Sequence, residues 1–200
     1  MTYAGELSPE QRLSLLEARV NELERVTGGA LAGSDGVALG ELPYSWPCGD
    51  ITRRQLAPWW SAVAYCERYN GGQYHTGEDF NLSDFADSGA RVVACADGEI
   101  VFAGVVNGWQ GWVVVVKHPD GLYSRYAHIT NVTPTGAIKR GELIGYIADY
   151  APKGPSGDHL HFDLAKIDLG AKPGDWPGSD QARVLRDYID PLAWIKAHLP

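Results

Sequence analysis

The chain has 200 residues, 44% of them hydrophobic, with 17 basic and 25 acidic side chains and a formal net charge of -8. That balance argues against the basic face a nucleic-acid partner requires, and no stretch approaches the ~18 consecutive apolar residues of a membrane span. Abundant glycine (24) and proline (12) among recurrent Val-rich runs points to a β-rich, loop-rich body.

Met1–Glu6 carry neither a basic n-region nor an apolar h-region, so the sequence as written reads without a secretory signal. The spacing predicts a helix over 9–27. Ser8 is placed as N-cap, Pro9 at N1 and Gln11 at N3, the elements of a capping box, and Gly28-Gly29 stops the helix. Leu13, Leu16, Val20 and Leu23 fit positions a and d of a heptad, with Arg12 and Arg19 at g and Glu17 and Glu24 at e. Both Arg12–Glu17 and Arg19–Glu24 resemble the Arg-apolar-x-x-apolar-Glu signature of short parallel trimeric coiled coils. A homo-oligomer through residues 9–27 is therefore expected, a trimer ahead of a dimer. An amphipathic helix packed on its own domain is the competing reading.

Residues 28–40 hold five glycines among small residues and read as a flexible linker. Residues 41–74 read as irregular, wrapping one end of the main domain. From 75 to about 168 strand follows strand: Arg91–Ala96, Glu99–Ala103, Trp112–His118, Leu122–His128 and Leu143–Ile147. Asp97-Gly98 reads as a tight hairpin turn between the first two, and Pro119-Asp120-Gly121 as another. No long helical period interrupts the block, so the fold class is mainly β, an antiparallel sheet rather than a βαβ fold. A short helix is expected near Asp190–Ala197. The three cysteines, Cys48, Cys66 and Cys95, cannot form a full disulfide framework. Cys48 and Cys66 could pair; three reduced thiols fit equally well, with Cys95 buried.

The chemistry concentrates in two clusters. In Gly157-Asp158-His159-Leu160-His161-Phe162, two histidines two apart on an extended strand share one face, opposite Leu160 and Phe162. Upstream stands His75-Thr76-Gly77-Glu78-Asp79. Two imidazoles and one carboxylate are enough to hold a zinc ion and leave its fourth position open. Taken alone, His-x-His is also an ordinary polar strand face. Glu78 and Asp163 read as solvated groups that could reach the ligands, His118 as a hairpin flank and His198 as a surface residue.

With both clusters in view, the chain resembles the lysostaphin-type (LytM-like) zinc endopeptidases that cut peptidoglycan peptides, over roughly residues 70–195. Five ordered elements carry the resemblance: His75–Phe80 as His-x-x-x-Asp, Ala94–Gly104 as the A-x-A-D-G hairpin, Tyr126-Ala127-His128-Ile129 as Y-A-H-L, Lys139–Gly145 as K-K-G-Q-x-I-G, and Gly157–Phe162 as G-P-H-L-H-F. The resemblance implies His75, Asp79 and His161 as ligands of one zinc ion, and His159 and His128 as catalytic histidines. Zinc so held polarises a carbonyl and lowers the pKa of a water from 15.7 to roughly 7. No His-Glu-x-x-His helix supplies a carboxylate base, so a histidine substitutes. His159 is assigned as general base and His128 to orienting the water or stabilising the oxyanion; the two roles are interchangeable on sequence alone. Tyr74, Trp109 and Tyr126 are candidates for a substrate groove. Asp158 replaces the family's usual proline and Ala148 a common glycine, and the Asp149–Ser156 loop is unusual. These departures bear on substrate choice.

The expected organisation is a coiled-coil helix at 1–27, a linker at 28–40 and a zinc peptidase domain at 41–200 with its motif-bearing core at 70–168. The expected partner is bacterial peptidoglycan. A virion-associated phage tail lysin is the favoured setting, with other tail proteins as partners, and a holin-released endolysin comes second. A non-catalytic, zinc-retaining wall-binding or activator module is the alternative, and a cupin-type oxidoreductase a remoter one, since His161 is followed by neither its Glu nor a suitably placed His. Sedimentation of the full chain against one lacking residues 1–27 is expected to show a trimer collapsing to a monomer; equal monomeric masses would remove the stalk.

Overall fold

A computed structural model of the chain describes residues 44–51, 59–82, 87–132, 135–149 and 157–199. The expected helix at 9–27, the linker at 28–40 and residues 150–156 of the variable loop lie outside the described residues. In chain order the strands are β1 (Trp59–Ser61), β2 (Arg68–Tyr69), β3 (Gln73–Tyr74), β4 (Glu78–Leu82), β5 (Arg91–Val93), β6 (Gly98–Val105), β7 (Trp112–Lys117), β8 (Tyr123–Thr130), β9 (Gly136–Ile138), β10 (Leu143–Ile147) and β11 (Leu160–Ala165). Helix α1 (Gln181–Asp187), strand β12 (Tyr188–Ile189) and helix α2 (Pro191–His198) follow.

The principal sheet has ten strands, with the path β1-β4-β11-β8-β7-β6-β9; β10 joins β8 to β5, and β12 extends β11. Every pairing is antiparallel. β2 and β3 form a separate hairpin. Both faces of the sheet carry an apolar cluster. Val114 and Val116 of β7 pack with Phe80, Tyr126, Leu160 and Phe162 on one side. Val113 and Val115 pack with Tyr123, Ala127, Ala165 and Tyr188 on the other. This explains the unbroken Val113–Val116 run: a strand covered on both faces does not alternate.

Two expectations about turns meet different outcomes. Pro119-Asp120-Gly121 does close the β7–β8 hairpin, with the His118 N–H donating to Leu122 O at 2.8 Å. Asp97-Gly98 does not close a hairpin. β5 pairs with β10, and β6 with β7 and β9. The Asp97 carboxylate accepts from the Arg140 N–H and the Lys139 ammonium, each at 2.9 Å, so its partner is the 139–140 turn and not the preceding strand. The 59–74 segment contains three short strands where irregular chain was expected, and α1 was not foreseen. Helix α2 lies within a residue of the expected span. Cys48, Cys66 and Cys95 are all free thiols, Cys48 and Cys95 buried.

Two local features set up the site. In β8, Trp112 pairs with Ile129 and Val114 with Tyr126, so β8 carries one residue more than β7 between the two pairs. The extra residue is accommodated where His128 adopts φ +62, a left-handed conformation uncommon for a residue with a Cβ. A bulge of this kind re-aims the side chains beyond it: Tyr126 and Ile129 both enter the same core, and His128 is released to the other face. The second feature is Gly77. A Cβ there would stand 2.6 Å from Asp163 Cβ and 2.8 Å from Asp163 Cα, so only glycine lets the 75–79 segment close against β11. Gly77→Ala is expected to cost about 1–3 kcal/mol or more through overpacking, read as a lowered denaturant midpoint; an unchanged midpoint would contradict this close approach.

Candidate metal centre

β4 and β11 are neighbours in register, with Asp79 opposite His161 and Phe80 opposite Leu160. Leu160, Phe162 and Leu164 point into one core, so His161 and Asp163 share the opposite face. β11 begins at Leu160; His159 immediately precedes it and still reaches toward Asp79, with Nε2 3.7 Å from Asp79 Oδ1.

Three lone-pair atoms meet on this face. His75 Nε2 lies 2.9 Å from His161 Nδ1 and 3.1 Å from Asp79 Oδ1, and His161 Nδ1 lies 3.0 Å from Asp79 Oδ1. All three residues are buried. A tetrahedral zinc with ligands at about 2.0–2.2 Å spaces them roughly 3.3–3.6 Å apart, so a slight opening of this triangle admits the ion. The tautomers support the same reading. His161 Nε2 lies 2.9 Å from Asp163 Oδ2; a carboxylate only accepts, so Nε2 carries the proton and Nδ1 is bare in the neutral ring. Burial alone pushes the Asp79 carboxyl up, but bonds to His161 and His75 outweigh it and hold it well below the usual range. A bare nitrogen and an anionic oxygen at 3.0 Å require a cation or a shared proton between them. His161 shows the complementary effect: burial lowers its pKa, yet the bonds to Asp163 and Asp79 raise it overall. The donor set of two imidazoles and one carboxylate fits zinc with a position left open.

Behind His161 stands a buried ion pair. Asp163 pairs with Arg125 across β11–β8, accepting from Arg125 Nε at 3.1 Å and from Nη2, and from Thr76 Oγ1 at 2.9 Å. Burial raises its carboxyl, but the Arg125 charge and His161 bring it down to about 2. Asp163 is thus the carboxylate that fixes the tautomer and ring angle of His161, not the solvated group that its sequence position suggested. Glu78 is also buried. It accepts from the Ser61 hydroxyl and from the Tyr65 N–H at 3.0 Å, pinning the 61–65 segment to the residue beside Asp79.

His128 and His159 flank the cluster, their ring centroids 4.7 Å apart. His128 Nδ1 lies 2.9 Å from Gln110 O, and His159 Nδ1 2.8 Å from Gly157 O. A carbonyl only accepts, so each ring holds its proton on Nδ1 and offers a bare Nε2 when neutral. Burial, reinforced by the neighbouring His159 and His161, pushes the His128 pKa down to about 3, leaving it uncharged through neutral pH.

The aromatic surroundings differ in part from expectation. The Trp109 ring stacks on His128 (5.8 Å, 29°) and meets His161 edge-on (5.1 Å). Trp176 lies 5.9 Å from His75, 5.7 Å from His161 and 5.5 Å from Trp109, and Tyr69 lies 5.3 Å from His75. Tyr126 lines no groove: it is fully buried in the opposite core, its hydroxyl 2.9 Å from the Cys95 N–H and 3.1 Å from Ser124 Oγ. Tyr74 is half-buried on β3, its N–H donating to Gly178 O at 2.8 Å. His118 is buried, bonded to Asp97 O and Ser124 Oγ. His198 is half-buried, stacked on Trp194 with ring centroids 4.0 Å apart. Arg125, Trp176 and Tyr69 were missed. Period two could have placed Asp163 beside His161; nothing local pointed to Arg125 or Trp176.

Residues 73–173 match peptidase family M23, and the chain belongs to that family. It is 32% identical over 141 residues to the cell division protein DipM of Caulobacter vibrioides, covering 69% of this chain and 20% of that protein. It is 34% identical over 90 residues to the DD-carboxypeptidase/endopeptidase Mpg of Neisseria meningitidis (44% and 19%). It is 36% identical over 84 residues to the murein hydrolase activator NlpD of Salmonella dublin (40% and 22%). The chain thus spans about a fifth of the length of these curated relatives. Among solved structures, the solution structure of lysostaphin superposes with a TM-score of 0.55 at 24% identity, covering 80% of this chain and 56% of that one, a likeness of fold. Among the described residues, no helix is long and apolar enough to cross a membrane.

Asp163→Asn is expected to weaken zinc binding about 10–100-fold and to destabilise the fold by about 3–5 kcal/mol, because Arg125 is left as a buried, uncompensated charge. The folded-state pKa of Asp163 lies below its ordinary value. Its stabilising contribution is therefore present above that ordinary value and lost as pH falls toward 2. Acid unfolding followed by circular dichroism is expected to lose this component in Asp163→Asn; superimposable acid limbs would contradict it.

Proposed function

We propose that this protein is a zinc-dependent endopeptidase that hydrolyses peptide bonds in the stems or cross-links of bacterial peptidoglycan. The carrying observation is the convergence of His75 Nε2, Asp79 Oδ1 and His161 Nδ1 at 2.9–3.1 Å, with two further histidines beside it, in a chain of family M23. One zinc ion held by His75, Asp79 and His161 supplies Lewis-acid polarisation of the scissile carbonyl and acidifies the attacking water.

The chain's own groups do the rest. His159, with Nδ1–H committed to Gly157 O, accepts the water's proton at Nε2 and returns it to the leaving amine. His128 is held neutral and takes up a proton reluctantly, which suits it to orienting the water through Nε2. Asp163 keeps His161 in the ligating tautomer. Trp109, Trp176 and Tyr69 form a flat-sided wall against which an extended peptide packs with little loss of side-chain freedom. The heptad pattern of residues 9–27 supports a trimer as the proposed assembly, and a phage tail is the proposed setting, with release as an endolysin second.

The similarity to NlpD, a murein hydrolase activator, supports a second reading, in which the domain retains zinc and binds wall without cutting it. Mass spectrometry of fragments released from purified peptidoglycans of defined cross-link type separates the two. Chelator-sensitive release is expected, abolished in His161→Ala and reduced at least about 100-fold in His159→Ala. Tight zinc binding with no fragments from any wall would establish the activator reading instead.

A further inference from the structure

Arg125 makes more contacts than a counter-ion for Asp163 requires. Its side chain is fully buried, and its five N–H groups have five acceptor contacts. Nε and Nη2 donate to Asp163 Oδ2, Nη2 also to Thr76 Oγ1 at 3.3 Å, and Nη1 to the carbonyls of Pro173 at 3.0 Å and Asp175 at 2.9 Å. The guanidinium carbon lies 4.4 Å from the centre of the Trp109 ring and 5.9 Å from that of Tyr188, within cation–π range. The cation thus holds the carboxylate behind His161, one face of Trp109, and the 173–175 backbone that leads directly into Trp176.

To the direct ring contacts of Trp109 with Trp176 and of both with His161, Arg125 adds a polar link from Asp163 to the 173–175 backbone. Asp163 belongs to β11, Trp109 to the β6–β7 connection, and Trp176 to the connection before α1. Trp176 is also held by its Nε1–H, which donates to Gln73 Oε1 at 2.9 Å, and by ring contacts with Tyr69, His75, Trp109 and His161. A lysine has the charge but neither the fork that reaches both Asp163 and two carbonyls nor the flat face that stacks on an indole.

We infer that Arg125 is a positioning residue that couples the His75–Asp79–His161 metal-binding cluster to the aromatic wall formed by Trp109 and Trp176. The inference rests on the reading of that cluster as a zinc site. Coupling is reciprocal: whatever loosens the wall weakens metal binding through Arg125, and metal binding in turn firms the wall. A cation that merely neutralised Asp163 would not transmit a change at Trp109.

A double-mutant cycle in zinc affinity tests this on the full-length chain, by competition with a chromophoric chelator, with circular dichroism confirming folding. Arg125→Lys is expected to raise the zinc Kd about 10–100-fold and to shift the visible absorption of the cobalt-substituted protein. Trp109→Leu is expected to raise the Kd several-fold in the wild-type background and to change it less than about twofold in the Arg125→Lys background. Fold-changes that multiply would overturn the coupling, since Trp109 would then act through its own contact with His161. So would an Arg125→Lys affinity within about twofold of wild type. Should Arg125→Lys not fold, Thr76→Val, which removes a shared partner of Arg125 and Asp163, is expected to raise the Kd at least about threefold with its melting temperature little changed; no rise overturns the inference. A wild-type protein that fails to retain zinc overturns the metal reading itself and the inference with it, a result distinct from any of these.

Discussion

A carboxylate sealed from water between β-strands is tolerable only if its charge is matched, and the geometry of this site follows from how Asp163 is matched. Arg125 directly across β8 neutralises it, and the remaining capacity of the same oxygen is taken by Thr76 and His161. Because Asp163 can only accept, His161 must give it the Nε2 proton, and the neutral ring then turns a bare Nδ1 toward Asp79 and His75. The face that His161 turns to Asp79 and His75 is therefore set from behind, by the Arg125–Asp163 pair. Burying such an ion pair contributes little net stability; here it orders a functional ring.

The sheet supplies the precision that this arrangement needs. Adjacent strands place β4, β11 and β8 side by side, and registry brings Asp79 and Ala127 opposite His161. Gly77 lets the preceding loop close onto β11 without a side chain intervening. Both faces of the sheet carry packed apolar clusters, so the strands have little freedom to slip, and a one-residue slip would turn His161 into the core. The two flanking histidines are held by backbone carbonyls, which accept whatever the pH. Their tautomers are thus independent of any titrating neighbour.

Several elements were legible because they depend on local pattern. The antiparallel β class, the β7–β8 hairpin, the strand at Leu143–Ile147 and the final helix all follow from short-range periodicity and turn chemistry. The alternation in His159-Leu160-His161-Phe162 put the two histidines on one face, which the structure bears out although β11 itself begins at Leu160. Asp97-Gly98 misled because dipeptide preference speaks of a turn and not of which strands it joins. The Asp97 side chain found partners more than forty residues on. Tyr126 misled for a related reason: two residues before a site histidine, it would share that residue's face on a regular strand, but the bulge puts the two on opposite faces. Asp163 was undervalued because its meaning comes from Arg125, a strand away.

By itself, the sequence determined which residues have the donor chemistry of the cluster and roughly which strands carry them, because donor chemistry resides in residue type and strand periodicity is local. It also carried the ordered motifs by which the chain joins peptidase family M23. Only the tertiary structure decided what lies behind and around those residues: the Arg125–Asp163 pair, the bulge that turns His128 outward, and the approach of Trp176 from about a hundred residues beyond His75. These depend on contacts between elements remote in the chain. Such contacts arise when the sheet closes and its polar groups must each find a partner out of reach of water.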